Sequence, residues 1–289
     1  MINHPPFFSV IIPTFNRRKE VITAIQSVVD QNFRSFEILL VDDGSTDDTI
    51  ARIREKFPDS RIKLHSLKHS GRSAARNFGI QHATGKWICF LDSDDHYLPE
   101  LLEKFHEKIQ ENPQYAAFAC RKTINHQQHD IASNQNQRVL RLQDFLMDNP
   151  LVLTQVCYKN DLYFRFPDGL EYAEDWYFFR HLSHNTGILM LDFVGINLCD
   201  HPERSIYTIG SENFAADNYK SASLTVKELP LTDEEKDQLM IYTNLLCTNI
   251  ILSGSRNKKE AFLYFRQCLN WKALLFLNFY KAIVKFIVL

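Results

Sequence analysis

Between Phe7 and Ile124, short runs of β-branched and aromatic residues alternate with stretches whose apolar residues recur at helical spacing. Strands buried on two faces read as continuous apolar runs and need helical crossovers, so this alternation builds a mostly parallel sheet with helices on both sides. The predicted strands are Phe8 to Pro13, Glu37 to Asp42, Ile62 to Leu67, Trp87 to Leu91 and Tyr115 to Ala119. Between them, Val21, Ile25, Val28 and Val29, then Ile50, Ile53 and Phe57, then Leu101, Leu102, Phe105 and Ile109 mark helical faces. The expected class is α/β, a Rossmann-like sheet with flanking helices. A polar stretch from Asn125 to Arg138 reads as an exposed loop. A helical stretch from Tyr172 to Leu182 and a β-rich run from Gly187 to Leu198 follow. From about Asn218 two or three further helices are expected. The chain thus divides into residues 1–124, 125–215 and a C-terminal helical extension, 216–289.

In open parallel sheets ligands bind outside the carboxyl ends of the strands, so the residues just after each strand carry the functional signal. The first strand ends Pro13-Thr14-Phe15-Asn16-Arg17, the second Asp42-Asp43-Gly44-Ser45-Thr46-Asp47 and the fourth Asp92-Ser93-Asp94-Asp95. Gly44 to Asp47 can be a turn with a helix cap. Paired carboxylates at Asp42 and Asp43 repel unless something donates to them, which favours recognition of a pyrimidine imide N–H over capping. Asp92, Asp94 and Asp95 at the end of a buried strand are costly without a cation, and a hard divalent ion shared with phosphate oxygens and water would satisfy them. The competing role for Asp94 or Asp95 is capping a helix that starts near Pro99. In His69-Ser70-Gly71-Arg72-Ser73-Ala74-Ala75-Arg76-Asn77, two arginines four apart share a helical face near its positive end, where phosphate is favoured; a solvated surface helix is the alternative.

A formal net charge of −2, from 33 basic and 35 acidic residues, provides no global field for nucleic acid, so phosphate binding must be local. The six cysteines lie too far apart for a metal knuckle or redox pair and read as buried thiols in a reducing compartment. A strand begins almost at the first residue, with no charged leader or cleavage site ahead of it, and places the expected location in the cytoplasm.

Taken in order, Ser9 to Arg17, Val41 to Asp47, Ala75-Arg76-Asn77, Phe90 to Asp95 and Glu174-Asp175-Trp176 resemble the inverting family-two glycosyltransferases with the GT-A fold. The resemblance covers roughly the first 205 residues. It implies that residues 1–124 bind a nucleotide-sugar and residues 125–215 the acceptor. By that similarity Pro13, Thr14, Asn16 and Arg17 line the nucleotide pocket, Asp42 and Asp43 receive the base, and Arg72 and Arg76 lie near diphosphate or ribose. Asp92 and Ser93 would touch ribose or sugar. Asp94, with Asp92, would bind Mn²⁺ or Mg²⁺. His201 is a further candidate for the metal or diphosphate, with Arg204 and Ser205 beside it; the arginine common two positions before the histidine is missing, and a surface histidine in a turn is the alternative. Glu174 and Asp175 open a helical stretch and on the residues alone read as dipole-favoured acids of a first turn; by the resemblance one of them faces the acceptor, and Asp175 is the general base.

The implied activity is metal-dependent inverting transfer of a sugar from a nucleotide-diphosphate donor, a UDP-sugar by preference, to a glycan or lipid-linked acceptor in cell-surface polysaccharide synthesis. A nucleotidyltransferase, or a module that binds nucleotide-sugar or glycan without turnover, are the rival readings. From Trp271 to Leu289 the chain is apolar, with Asn278, Lys281 and Lys285 on one helical side. That suits a peripheral helix at the inner face of a membrane. The alternative is a helix docked on the protein's own core or in a homodimer.

Overall fold

The computed structural model describes residues 5–127, 137–202, 204, 208–269 and 271–288. Contacts divide the chain into two compact units interleaved in sequence: residues 1–141, 151–169 and 182–200 form the first, and residues 142–150, 170–181 and 201–289 the second.

The first unit is built on one sheet. Its strands are β1 (Phe8–Thr14), β2 (Phe36–Asp42), β3 (Ile62–Ser66), β4 (Trp87–Phe90), β5 (His96–Tyr97), β6 (Ala117–Ile124), β7 (Arg138–Leu140), β8 (Val156–Lys159) and β9 (Ile188–Leu198). The order is β3-β2-β1-β4-β8-β6-β9-β5, with β7 on β9. β3, β2, β1 and β4 run parallel, whereas β8 enters antiparallel between β4 and β6. Every residue of β1 and β2 is buried, as expected for central strands that are mostly apolar and covered on both faces. Four of the five predicted strands match to within a residue at each end, while β6 starts two residues late and continues to Ile124 because it pairs with β9. β5, β7 and β8 were not foreseen. Each has four residues or fewer and is defined by a distant partner.

Helices α1 (Glu20–Val29), α2 (Thr49–Lys56), α3 (Arg72–His82) and α4 (Leu101–Glu111) cover the sheet. Val21, Ile25 and Val28 of α1 and Leu101, Leu102, Phe105 and Ile109 of α4 join the main core, at the predicted spacing. α3 lies close on β1 because position 79 is glycine: a Cβ there would sit 2.4 Å from Ile11 Cγ2. Behind the sheet's ligand rim, Glu37 is a buried staple. Its carboxylate accepts from Ser9 Oγ (2.6 Å), Thr84 N (2.7 Å) and Thr84 Oγ1 (2.9 Å), and pairs with Lys63. Burial opposes its charge, but those donors outweigh burial and hold its pKa below the ordinary value.

The second unit contains α5 (Leu142–Leu146), the start of α6 (Glu174–Asn185), α7 (Ser211–Glu228), α8 (Asp233–Ser253), α9 (Lys258–Phe265) and α10 (Leu277–Val288). From Ser211 onward the described residues thus form four α-helices, more than the two or three expected, because the 253–257 turn and the 3₁₀ turns at 266–268 and 271–275 cut the apolar run. Thr232 and Glu235 cap α8 reciprocally, at 3.2 Å and 2.8 Å. α10 is docked, with Phe279 and Ala282 buried against Ile241, Leu245 and Phe265. Its lysines do not form one solvated side, since Lys285 Nζ bonds Ser253 Oγ and Asn249 O on α8. Tyr280, Val284 and Ile287, at i, i+4 and i+7, are 52%, 57% and 77% exposed. No helix among the described residues is long and apolar enough to cross a membrane. Ser205 and most of the Asn125–Arg138 loop, residues 128–136, lie outside the described residues. All six cysteines are free thiols, five of them buried and Cys199 half-buried.

Candidate active site

Three parallel strands end side by side. Thr14 pairs in register with Asp42 and Ile11 with Phe90, so the polar residues after β1, β2 and β4 emerge at one rim of the first unit. Thr14 Oγ1 is buried and makes no hydrogen bond with the described residues. Asn16, at φ 50°, ties the first two turns together: its N donates to Ser45 Oγ (2.8 Å) and its Oδ1 accepts from Thr46 N (2.9 Å). Pro13 is buried in the strand itself.

Asp42 and Asp43 divide their roles. Asp43 accepts from Ser70 N (2.8 Å) and Gly71 N (2.9 Å), and His69 Nδ1 lies 2.9 Å from its Oδ2. Its donors are thus supplied by the loop that leads into α3. Asp42 has a weaker internal claim, two 3.3 Å contacts from Ser45 N, and keeps capacity for a further donor. Gly44 makes the crossing of these loops feasible. It holds φ 82°, and a Cβ there would come within 2.8 Å of His69 N. Phe15, 39% exposed, stacks on His69 at 4.3 Å.

After β4, Arg76 NH2 lies 2.8 Å from Asp92 Oδ1 and Arg17 NH1 3.8 Å from Asp94 Oδ2. Arg76 is buried; Arg72 opens α3 half-buried behind Gly71, whose φ is 91°. The cap role weighed for Asp94 and Asp95 does not hold, since α4 begins at Leu101 with Glu100 as its N-cap. Asp95 instead braces the turn: it is 1% exposed, accepts from Cys199 N (3.0 Å) and takes a long 3.4 Å contact from Thr154 Oγ1. Thr154 Oγ1 also receives Asp92 N at 3.4 Å. Asp92, Ser93 and Asp94 are thereby held half-buried at the rim. The carboxylates of Asp92 and Asp94 are hard oxygen donors of the kind Mg²⁺ and Mn²⁺ take, and two suffice when phosphate and water complete the shell. Among the described residues no group of three or more His, Cys, Asp or Glu is placed to hold a metal. The donor chemistry fits an ion that arrives with its own phosphate ligands.

Glu174, Asp175 and His201 belong to the second unit. Glu174 is buried in the first turn of α6. Asp175 is held on both oxygens, by Asn149 Nδ2 (3.0 Å) and Trp176 N (2.7 Å). Five residues on, Arg180 is 1% exposed, donates from Nε to Phe145 O at 3.0 Å and lies over the Trp176 ring at 4.5 Å. Burial pushes its pKa down to about 9 against the pull of the Asp175 charge. His201 carries its backbone carbonyl to Arg204 N at 3.1 Å. Asn149 and Thr154 escaped sequence reasoning, because a single Asn or Thr in a loop gives no periodic signal and its partner is tens of residues away.

The family profile described as Glycosyl transferase family 2 matches residues 9–167. The Escherichia coli UDP-Glc:alpha-D-GlcNAc-diphosphoundecaprenol beta-1,3-glucosyltransferase WfgD is 40% identical over 96 residues, 33% of this chain and 38% of that protein. The stretch matched is less than half the length of the curated relatives, and only 18% of a Rickettsia felis uncharacterised glycosyltransferase that is 45% identical over 109 residues, 38% of this chain. Among solved structures, Staphylococcus aureus TarS 1–349 in complex with UDP-GlcNAc superposes with a TM-score of 0.68 at 23% identity, covering 97% of this chain and 80% of that one. The Pyrobaculum calidifontis mannosyltransferase PcManGT in complex with GDP-Man and Mn²⁺ gives 0.61 at 17% identity, covering 98% and 81%. These likenesses establish a GT-A type fold.

Proposed function

We propose, from the premise that the chain belongs to glycosyl transferase family 2, that it transfers a sugar with inversion from a UDP-sugar to a glycan or lipid-linked acceptor in polysaccharide synthesis. The observation that carries this reading is the rim where Arg17, Arg76, Asp92 and Asp94 meet beyond a buried parallel sheet, with Asp42 able to accept a further donor. Such a rim pairs cationic groups for a diphosphate with carboxylates for the cation that accompanies it. The UDP-sugar named for WfgD and the UDP-GlcNAc bound to TarS support the donor class, and the diphosphoundecaprenol in WfgD's name supports the acceptor class.

In this reading Asp42 accepts the imide N–H of the uracil, and Asp43 keeps the loop before α3 in place. Arg72, Arg76 and Arg17 orient and neutralise the diphosphate. Asp94 and Asp92 would hold Mn²⁺ or Mg²⁺, which when bound stabilises charge on the leaving diphosphate. Asp175, oriented by Asn149, takes the proton of the acceptor hydroxyl as its oxygen bonds to the anomeric carbon and the bond to the diphosphate breaks. Tyr280, Val284 and Ile287 favour peripheral contact with a membrane, where lipid-linked acceptors reside.

The deciding experiment is incubation of the protein with a panel of UDP-sugars and Mn²⁺. Release of UDP is expected, and Asp94→Ala should lose metal-dependent UDP binding. Sugar 1-phosphate, released as the UMP group is transferred, would establish the nucleotidyltransferase instead, and binding without either product a non-catalytic module.

A further inference from the structure

A cleft of about 1250 Å³ lies in the first unit between α3 and the chain segment after β8. It does not include the rim carboxylates. Its walls are fixed by two asparagines. Asn77 Nδ2 donates to Phe166 O (2.9 Å) while its Oδ1 accepts from Phe166 N (2.8 Å), and Asn160 Nδ2 donates to Ala83 O (3.1 Å) and Gly85 O (2.9 Å). Between these pins stands Tyr163, in the left-handed region at φ 47°, ψ 39°, and 88% exposed. A bulky side chain meets steric resistance in that conformation, and an aromatic ring in water forfeits its burial energy. Both are maintained in a segment bolted at each end, which is the pattern of a binding platform rather than of a slack loop.

The charge on the cleft is net positive. Lys68, Lys86, Lys159 and Arg165 line it against Asp161 and Asp168, and Arg165 is already paired with Asp168 at 3.1 Å. The volume exceeds the roughly 300–1,000 Å³ typical of single small-molecule pockets, and the cleft is open to solvent rather than enclosed, which leaves room for an oligomer. α3 is the wall it shares with the rim: Arg76, which pairs with Asp92, also lies 5.6 Å from the ring of Phe166, and the next residue is the pin Asn77.

We infer that this cleft docks an acidic glycan, a non-reacting stretch of a carboxylate- or phosphate-bearing polysaccharide, with Tyr163 stacking on sugar faces and Lys68, Lys86 and Lys159 meeting the anions. The inference rests on the glycosyltransferase reading only for the identity of the occupant as a glycan.

The test is calorimetric titration of the full chain with oligogalacturonate and with a neutral maltodextrin of matched length. Preferential binding of oligogalacturonate is expected, weakened roughly tenfold or more by Lys68→Glu with Lys86→Glu and by added salt. Tyr163→Asn keeps a residue that tolerates the left-handed backbone but removes the ring, and should weaken binding of oligogalacturonate without lowering the melting temperature. Equal affinity for the two oligosaccharides, absence of binding, or unchanged binding in both variants would overturn the inference. UDP release from UDP-sugar without acceptor should be unaltered in the variants. That second readout reports on the transferase alone, so a failure there leaves the titration to decide the cleft.

Discussion

Asp42 and Asp43 are adjacent, equally buried and of the same residue type, yet their surroundings assign them different work. Replacing Asp43 by Ala removes an acceptor shared by Ser70 N and Gly71 N and a partner of His69. Hydrogen bonds to a charged group contribute about 1.5–3 kcal/mol each. Both bonds are only part-buried at the donor end, so water recovers part, leaving a net loss of about 2–4 kcal/mol. For a unit of this size each kcal/mol corresponds to about 2–4 °C, so melting should fall on the order of 10 °C. Asp42→Ala forfeits only the long Ser45 contacts, costs less than about 1 kcal/mol, and should instead abolish UDP binding. Asp43→Asn retains one acceptor oxygen and should melt in between. Differential scanning calorimetry with UDP titration on the three variants makes the comparison. A melting point for Asp43→Ala within about 2 °C of the parent, or a larger drop for Asp42→Ala, would refute the division of roles.

Glu37 sets an acid limit on the same sheet. Its native pKa lies below the ordinary 4.5, so the stability it contributes is fully present above that value and drains as pH falls through the lower native one. Melting temperatures from about pH 6 to about pH 3 should drop steeply in the parent and less so in Glu37→Gln; parallel curves would exclude the staple as the cause. Asn149→Ala should lower kcat by about 10–100-fold with donor KM little changed, because it loosens the group that takes the proton and leaves the donor rim alone. An effect confined to KM would remove Asn149 from that role. Val284→Glu with Ile287→Glu should reduce sedimentation with anionic lipid vesicles while leaving melting unaltered, since both side chains are more than half exposed. Equal sedimentation would turn that face over to another partner or to solvent.

What could be read from the text was local. The apolar runs of β1, β2 and β4 announce buried parallel strands, and the acids that follow them announce the rim, because a strand's burial and its exit residue are written within a few positions. The pairing of Arg76 with Asp92 was legible only in part: helical spacing placed the arginine on α3, but not which carboxylate it would meet 16 residues later. Nothing in the run Val156 to Lys159 says that it enters between β4 and β6, and nothing in Thr154 or Asn149 says that they steady Asp92 and Asp175. Those facts depend on contacts at long sequence separation, which composition and periodicity do not encode.

The antiparallel entry of β8 has a consequence for how the chain can be made and cut. β4 finds its second neighbour only when residues 156–159 arrive, some seventy positions later. During synthesis the nascent sheet therefore carries an open edge until that stretch clears the ribosome, and a fragment ending near residue 111 would keep it, exposing an apolar strand to self-association. The family profile runs to residue 167, just past β8, but β6 keeps an open edge until β9 pairs with it. A minimal soluble fragment should be sought beyond residue 198 and never short of it.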